Sequence, residues 1–386
     1  MDFSLNKDQI LLQDMTRKFA KEVLLPKAAE LDEKQEFPTE HLNKMRELGL
    51  MSIMVDPKYG GSGMDVVSYV IALEQISAGC ASSAVMMSVN NSLFCGPIEK
   101  YGTEDQKQEF LVPCASGKKL GAYCLSEPGT GSDAANQQTT ATLSGDEFIL
   151  NGTKNWITNG PNADCFIIFA MTDKEKGTRG ISAFLVNKED AGFAVGKKED
   201  KLGIRASSTS SIILEDCKIP KSRILGDINQ GFKIAMNTLD YGRIGIATQA
   251  LGISQAAFDF ALKYSGEREA FGKHINNFQA IQWMLADMSV KIEASRLLTY
   301  RAAWLVDQGK SCSLQAAQAK LHSSEASNFV TDKAIQIHGG YGYCREYPVE
   351  RLMRDARITE IYEGTSEIQR LVISRNLIRN NEYYFL

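Results

Sequence analysis

The chain has 386 residues, of which 44% are hydrophobic and 23% are charged, and its formal net charge is −4 at pH 7. This length exceeds what one hydrophobic core normally supports and predicts two or three domains. The mild acidity disfavours a nucleic-acid-binding protein, because such proteins usually carry a basic surface. Since no apolar run is long enough to cross a bilayer, the sequence predicts no membrane segment.

The start of the chain and its cysteines indicate the compartment. Residues 1–7 contain neither an apolar signal core nor an arginine-rich transit pattern. We therefore expect a full-length bacterial product to be cytoplasmic and a processed mature form to belong to the mitochondrial matrix. The eight cysteines and four histidines are scattered, without Cys-x-x-Cys or His-Glu-x-x-His spacing. This distribution predicts reduced thiols in the core and no catalytic metal site.

The first part of the chain shows the apolar spacing of α-helices. A first helix is predicted to run past Phe19 and to be interrupted by Pro26. A second helix is predicted to begin at residues 38–40, Pro-Thr-Glu. Further helices are predicted over about 65–78 and 82–94. Residues 1–120 are therefore expected to form an N-terminal α-helical domain.

Near residue 121 the apolar period changes to short β-type runs. An Asn-Gly pair at residues 151–152 lies between β-type flanks, which predicts a hairpin turn. Turn residues, and no helix-length segment, separate the apolar runs at 166–170, 181–186 and 211–214. We therefore predict that residues 121–230 form an antiparallel β-barrel or sandwich domain.

From about residue 231 the helical period returns and persists. Ile281, Leu285, Met288 and Ile292 form one apolar stripe at helical spacing. Several long helices separated by short polar breaks are typical of an antiparallel bundle. Residues 231–386 are therefore predicted to form a C-terminal helical domain, so that the chain reads α, then β, then α.

Two glycine-rich segments could bring backbone N–H groups close to a ligand. The first, residues 126–133 (SEPGTGSD), lies beside the first β-type residues. Ala134 and the absence of a parallel βαβ context exclude a Rossmann fingerprint there. The second, residues 336–343 (QIHGGYGY), lies between C-terminal helices. Each segment taken alone is equally consistent with an ordinary turn.

Other candidate segments also have structural explanations. Residues 156–159 (WITN) offer an aromatic face and a hydroxyl that suit a flavin ring, but also a β-sheet core. Asp240 to Arg243 and the run from Arg268 to Gly272 each contain an arginine that could bind a phosphate or form a surface ion pair.

The segment Glu363-Gly364-Thr365-Ser366-Glu367 interrupts helix-forming sequence. A glycine directly after a carboxylate allows a ligand to approach closely, and Glu363 could then act as a base on it. A plain helix boundary with Thr365 or Ser366 as N-cap explains the pentapeptide more simply when it is taken alone.

These segments together carry a resemblance to the acyl-CoA dehydrogenases over essentially the whole chain. The resemblance implies an α+β fold with an N-terminal helical domain, a middle antiparallel β domain and a C-terminal four-helix-bundle-like domain. Within the family, the chain most resembles the short-chain (butyryl-CoA) branch, and residues 87–93 and 197–205 carry this resemblance. The matching segments occur in the family's order at residues 125–133, 151–159, 196–205, 268–279, 336–342 and 361–366.

The resemblance implies a site for FAD between the β domain and the C-terminal helices, with the Thr158 hydroxyl near flavin N5. The implied FAD contacts are Tyr123, Cys124, Leu125, Ser126, Glu127, Gly129, Thr130, Gly131, Ser132, Trp156, Ile157, Thr158, Thr365, Ser366 and Glu367. A second group matches segments that reach the FAD of a neighbouring subunit, which implies a homo-oligomer, typically a tetramer built as a dimer of dimers. That group comprises Arg268, Phe271, Gln279, Gln336, Ile337, His338, Gly339 and Gly340. Acyl-CoA contacts are implied for Ser132, Asp240, Tyr241, Gly242, Arg243 and Gly364.

Glu363 matches the catalytic base of the family. The implied reaction is α,β-dehydrogenation of a short-chain acyl-CoA to the trans-2-enoyl-CoA: Glu363 takes the α-proton, and the β-hydrogen leaves as hydride to flavin N5. The Glu363 backbone N–H and a flavin ribityl hydroxyl would polarise the thioester carbonyl. We expect Glu363 in a dry, apolar pocket that raises its pKa. An electron-transferring flavoprotein would accept the electrons.

Some features depart from the common family pattern and leave alternatives open. Thr130, His338 and Glu367 stand where relatives often carry other residues, and these departures concern only the tuning of the flavin. A short branched-chain acyl-CoA dehydrogenase and an acyl-CoA oxidase of the same fold remain alternatives. A non-catalytic flavin- or nucleic-acid-binding protein on this fold is the alternative from another class.

Overall fold

A computed structural model describes residues 4–380, with residue 380 described by its backbone alone. The N-terminal part is helical, and π-helical turns over Ala20–Leu24, Val89–Cys95 and Lys107–Leu111 join successive helices into longer ones. Its helices are α1 (Lys7–Phe19), α2 (Leu25–Lys34), α3 (Thr39–Glu47), α4 (Val66–Gly79), α5 (Ala81–Ser88), α6 (Gly96–Tyr101), α7 (Glu104–Gln106) and α8 (Val112–Ala115).

The predicted interruption at Pro26 is wrong, because α1 and α2 form one continuous helical rod through the π-helical turn. In that turn the Leu25 N–H donates to the carbonyl of Ala20, five residues back. In a regular α-helix the Pro26 ring would clash with a carbonyl of the preceding turn, and its missing N–H would break one hydrogen bond. The wider turn relieves both effects, so Pro26 occupies the first turn of α2.

In the described part of the chain, one seven-stranded sheet follows the N-terminal helices, with strand order β1-β4-β2-β3-β7-β6 and β5 paired to β4. Its strands are β1 (Gly121–Cys124), β2 (Thr140–Ser144), β3 (Glu147–Thr158), β4 (Cys165–Met171), β5 (Ile181–Asn187), β6 (Phe193–Lys198) and β7 (Thr209–Pro220). Most pairs are antiparallel, as predicted, but β1 pairs with β4 in parallel, and β2 also meets β4 in parallel at Thr140 and Met171. The long connection through β2 and β3 makes the parallel pairing of β1 with β4 possible.

The predicted hairpin turn at Asn151-Gly152 is also wrong. Both residues lie within β3, at an irregularity in its pairing with β7. The turn between β2 and β3 falls instead at Gly145-Asp146, where Gly145 has a φ of 61°. Glycine at position 152 lets the β3 backbone pass close to Thr139, since a Cβ there would lie 2.6 Å from Thr139 Oγ1. Asn-Gly therefore marks a bulge in this chain.

The C-terminal part is a helical bundle in which α11 packs against α9, α10, α12 and α13. The predicted stripe on α10 is confirmed: Met288 and Ile292 are buried, and Ile281 and Leu285 pack at the edge of the same core. A short β-hairpin, β8 (Glu269–Ala270) and β9 (Lys273–His274), joins the first two long helices. The helices are α9 (Gly231–Glu267), α10 (Gln279–Asp307), α11 (Ser313–His338), α12 (Val349–Arg357) and α13 (Ser366–Asn380).

One hydrophobic core connects all three parts of the structure. It contains Phe94 from the N-terminal helices, Phe169 from β4, and Ile234 and Met288 from the bundle. Seven of the cysteines are buried free thiols, and Cys344 is the exposed exception to the prediction. Among residues 4–380, no helix has the length and apolarity needed to cross a membrane.

Candidate active site

The turn between α12 and α13 carries Glu363 in an unusual backbone conformation. Glu363 has a φ of 53° and Gly364 a φ of 95°, so two consecutive residues are left-handed. A glutamate rarely adopts this region, and such strain persists only where surrounding contacts enforce it. The N-cap interpretation also holds, because Thr365 Oγ1 accepts a hydrogen bond from the Ile368 N–H at 3.3 Å. The segment is therefore a helix boundary that also fixes the orientation of the Glu363 carboxylate.

The Glu363 carboxylate points towards α9. Its Oε2 atom is buried and has no hydrogen-bond partner, although the residue as a whole is only partly buried. A Cβ added at Gly242 would overlap Glu363 Oε2 and lie 3.0 Å from Leu93 Cδ2. Glycine at position 242 therefore makes the room that this carboxylate occupies.

Burial raises the pKa of Glu363 to about 7, and the positive charges of Lys320 and Arg243 oppose that shift. The expected dry, apolar pocket is found only in part: Glu363 Oε2 is buried, but the charges of Lys320 and Arg243 act on the carboxylate. A carboxyl group with a pKa near neutrality is matched to general-base work at physiological pH.

Of the four predicted acyl-CoA residues on α9, two act on Glu363 directly. Gly242 makes room for the carboxylate, while Arg243 is buried and its Nη1 donates to Asp240 Oδ1 at 2.5 Å. Arg243 Nε is buried without a partner. Tyr241 instead lines a cavity of about 330 Å³ that lies mainly between α6, α9 and the start of α4, and Glu363 does not line it.

The first glycine-rich loop follows the end of β1 and is held by hydrogen bonds between its own residues. Glu127 and Thr130 exchange backbone hydrogen bonds at 3.1 Å, while Gly129 and Gly131 face open space. Tyr123, Cys124 and Leu125 are buried in the core, and Ser132 is exposed.

The Glu127 side chain points inward and forms a buried ion pair with Lys154 Nζ at 2.8 Å. It also accepts hydrogen bonds from the backbone N–H groups of Gln138 and Thr139, at 2.6 and 3.0 Å. Since its carboxylate is engaged within the fold, the side chain of Glu127 is not available to a ligand.

The segment of β3 that follows Lys154 lies beside this loop. The Asn155 N–H donates to Ser126 O at 2.8 Å, which joins the two predicted flavin segments. Trp156 has a φ of 56° at a bulge and is 54% exposed, whereas Ile157 is buried and Thr158 is half-buried. The bulge thus presents an aromatic face next to the glycine-rich loop.

Some of the residues predicted to serve a neighbouring subunit form a second cluster. Arg268 and His338 line one cavity of about 440 Å³ with Tyr264 and Tyr341. His338 stacks on Tyr264 at 4.3 Å, and its Nδ1 lies 2.8 Å from the Ala334 carbonyl, so this ring is structurally engaged. Ile337 of the same group is buried. The remaining members are exposed: Phe271, Gln279, Gln336, Gly339 and Gly340.

Lys320 is a residue that the sequence analysis missed. It lies inside α11, is fully buried, and donates from Nζ to Gly364 O at 2.7 Å. Burial lowers the pKa of Lys320 to about 7, and the carboxylate of Glu363 opposes that shift. The available signal was a lysine surrounded by small residues on a helix face, at residues 316–324.

The residues around these loops fit a flat, polar cofactor such as FAD. Apart from the adjoining backbone, no heavy atom lies within 4 Å of a Cβ added at Gly129, Gly131, Gly339 or Gly340. Thr130 Oγ1 and Ser366 Oγ are buried without partners, as expected for groups that complete their hydrogen bonding on a ligand. Among residues 4–380, no cluster of His, Cys, Asp and Glu could hold a metal ion.

Comparison with known proteins identifies the family. Three family profiles match in order: acyl-CoA dehydrogenase N-terminal domain at residues 6–118, middle domain at 122–217 and C-terminal domain at 229–378. The chain belongs to the acyl-CoA dehydrogenase family. It is therefore a flavin-dependent oxidoreductase, and the predicted fold and FAD dependence are confirmed.

Individual relatives refine the comparison. "Acyl-CoA dehydrogenase, short-chain specific" from Clostridium acetobutylicum is 52% identical, covering 98% of this chain and 100% of the relative. The structure of butyryl-CoA dehydrogenase from Megasphaera elsdenii has a TM-score of 0.97 at 47% identity, covering 98% and 100% of the two chains. A chain of the structure described as "Electron transferring flavoprotein of Acidaminococcus fermentans: Towards a mechanism of flavin-based electron bifurcation" has a TM-score of 0.97 at 50% identity, covering 98% and 100%.

Proposed function

We propose that this enzyme dehydrogenates a short-chain acyl-CoA, butyryl-CoA foremost, to the trans-2-enoyl-CoA. The observation that carries the proposal is Glu363, a left-handed residue whose Oε2 atom is buried without a hydrogen-bond partner and whose pKa is raised to about 7. The short-chain and butyryl-CoA enzymes among its relatives support the substrate class.

In this proposal the residues of the chain bind the thioester, hold it and move one proton. Glu363 takes the α-proton at its carboxylate, and its backbone N–H donates to the thioester carbonyl, whose negative charge grows as the proton leaves. Bound FAD supplies the acceptor for the hydride. Acyl-CoA contacts are assigned to Gly364 and Ser132 and, on α9, to Asp240, Tyr241, Gly242 and Arg243.

The flavin contacts are proposals of the same kind. The loop around Gly129 and Gly131 and the bulge at Trp156 are joined by direct hydrogen bonds, which supports a single flavin site between them. Because Tyr123, Cys124 and Ile157 are buried in the core, we assign them a supporting role beneath that site. Thr365, Ser366 and Glu367 would close it from the start of α13.

The substrate range is tested by anaerobic bleaching of the flavin near 450 nm, the usual oxidised-flavin band, during titration with straight-chain acyl-CoAs from C4 to C16 and with isobutyryl-CoA. We expect the fastest bleaching with butyryl-CoA. Faster bleaching with isobutyryl-CoA or with longer chains would keep the enzyme class and reject the proposed substrate. Absence of bleaching in FAD-loaded protein would reject the dehydrogenase function.

An electron-transferring flavoprotein is the proposed acceptor, supported by the description of one similar structure. We expect the reduced enzyme to reduce such a flavoprotein and to release little peroxide in air. Stoichiometric peroxide release would instead indicate an oxidase. The proposed compartment is the cytoplasm for a bacterial product and the mitochondrial matrix for a processed form.

A homo-oligomer, a tetramer in its full form, is proposed from an exposed apolar surface on the bundle. Phe271 is 94% exposed, and α10 exposes apolar side chains at every seventh residue: Trp283, Val290, Leu297 and Trp304. A stripe of this kind on a soluble protein usually marks an interface. Arg268, Phe271 and Gln279 would then reach the FAD of the neighbouring subunit.

Trp283→Glu combined with Leu297→Glu is expected to convert the oligomer into smaller species and to reduce its FAD content, because a charged stripe cannot be buried against a partner. Light scattering after size exclusion measures the mass, and absorbance near 450 nm measures the flavin. Leu143→Glu, at an exposed apolar residue of β2, is the matched control and should leave both unchanged. A wild-type monomer with full FAD content would contradict the proposal.

A further inference from the structure

Lys320 is a charged residue of the site to which the proposed mechanism gives no role. It lies in the middle of α11, among small buried residues, and its own side chain is fully buried. An ammonium group is retained in a protein interior only where partners compensate for its lost hydration. Its Nζ donates to one neutral acceptor, Gly364 O, at 2.7 Å. A single carbonyl is a weak compensation for a buried charge.

The carboxylate of Glu363 is likewise buried with too few partners, and its charge is opposite to that of Lys320. Its Oε2 atom is buried without a hydrogen-bond partner. After burial itself, the largest influence on the pKa of Lys320 is the charge of Glu363, and the largest on the pKa of Glu363 is the charge of Lys320. The two groups therefore offset the cost of burying each other.

The backbone that carries Glu363 depends on the same lysine. Glu363 and Gly364 are both left-handed, and a conformation of this kind needs external contacts to hold it. Gly364 O accepts from Lys320 Nζ and also from Gln369 Nε2, at 2.7 and 2.8 Å. One of these contacts comes from α11 and the other from α13, so the turn is held between two helices.

We propose that Lys320 is a positioning residue for the base: its hydrogen bond to the Gly364 carbonyl holds the Glu363 turn against α11, and its ammonium is the counter-charge that keeps the Glu363 carboxylate ionised. The inference rests on the proposed function, because Glu363 can take a proton only when it is ionised.

The other titratable groups near this pair do not replace Lys320. Arg243 of α9 donates to Asp240, and its charge lowers the pKa of Glu363 less than the charge of Lys320 does. Burial raises the pKa of each nearby tyrosine, which keeps the phenols neutral: Tyr69 of α4, Tyr123 of β1 and Tyr362. Glu325 of α11 and Glu367 of α13 add weaker negative charge near Lys320, which favours its ammonium form.

Lys320→Met is tested in the FAD-loaded enzyme through the pH dependence of flavin reduction by butyryl-CoA. Removing the positive charge raises the pKa of Glu363. The acid limb of the pH–rate profile, where the rate falls because Glu363 becomes protonated, should therefore move to higher pH. A shift of one unit lowers the rate at pH below the limb roughly tenfold. We expect the loss in kcat with little change in KM. Lys320→Arg keeps the charge and should keep the limb near its wild-type position.

Two further variants complete the experiment. Lys333→Met, on the same helix and paired with Asp332, is the matched control and should show the wild-type profile. Lys320→Gln keeps a side-chain N–H donor but lacks the charge, and it should show the same shift of the acid limb if Lys320→Met does not fold.

The outcomes separate the two hypotheses. A wild-type enzyme that bleaches, together with an unmoved acid limb in the uncharged variants, overturns the role of Lys320 and leaves the proposed function standing. Reduced FAD content or a lower unfolding temperature with an unmoved limb also overturns it, because Lys320 would then be merely structural. A wild-type enzyme that does not bleach overturns the proposed function and the role of Lys320 together.

Discussion

Glu363→Gln is expected to retain bound FAD and to slow flavin reduction by butyryl-CoA roughly 10²- to 10⁴-fold, the usual contribution of a positioned base. Glutamine has nearly the same shape, so it fills the space beside Gly242, but its amide cannot accept the α-proton. The measurement is anaerobic bleaching near 450 nm after rapid mixing, with FAD content determined on the same sample.

The control for this variant is Glu47→Gln, the same change at an exposed carboxylate of α3 that pairs with Lys44. It should bleach at the wild-type rate. A near-wild-type rate in Glu363→Gln would reject Glu363 as the base. Because the pKa of Glu363 is raised to about 7, the wild-type rate should fall as the pH drops below that value. In Glu363→Gln this acid limb should disappear.

Lys154→Met is expected to lower the free energy of unfolding by about 3–5 kcal/mol, the usual cost of breaking a buried ion pair from one side. Lys154 is fully buried, and it donates to the Leu125 carbonyl and Gln137 Oε1 as well as to Glu127. Burial alone would raise the pKa of Glu127, but Lys154 and the backbone donors hold it below its usual value. Without Lys154 the carboxylate stays buried and unpaired.

The same variant should lose FAD, because the ion pair holds the glycine-rich loop against β3. Urea unfolding of the FAD-loaded protein measures the stability, and absorbance near 450 nm measures the bound flavin. Lys221→Met is the matched control, since its partner Asp146 is fully exposed and such a pair contributes only about 0–1 kcal/mol. Adding Glu127→Gln to Lys154→Met should recover part of the loss. Equal costs for Lys154→Met and Lys221→Met would contradict the prediction.

The errors in the sequence analysis share a physical origin. Pro26 usually ends a helix, and Asn-Gly usually makes a hairpin turn, but both rules describe the local preference of a few residues. Here a π-helical turn accommodates Pro26, and the missing side chain of Gly152 leaves room for Thr139, whose Oγ1 would lie 2.6 Å from a Cβ at that position. The parallel pairing of β1 with β4 joins segments distant in the chain, which no local pattern encodes.

The sequence by itself determined the α–β–α order, the family and the turn that carries Glu363, because apolar period and glycine positions act over a few residues. Only the tertiary structure placed Gly242 of α9 beside that carboxylate, buried Lys320 against the Gly364 carbonyl and turned Glu127 inward onto Lys154. These contacts join residues far apart in the chain, and burial sets their charges. The raised pKa of Glu363 is therefore a property of the packed fold, because the free energy of a charge depends on how much water surrounds it.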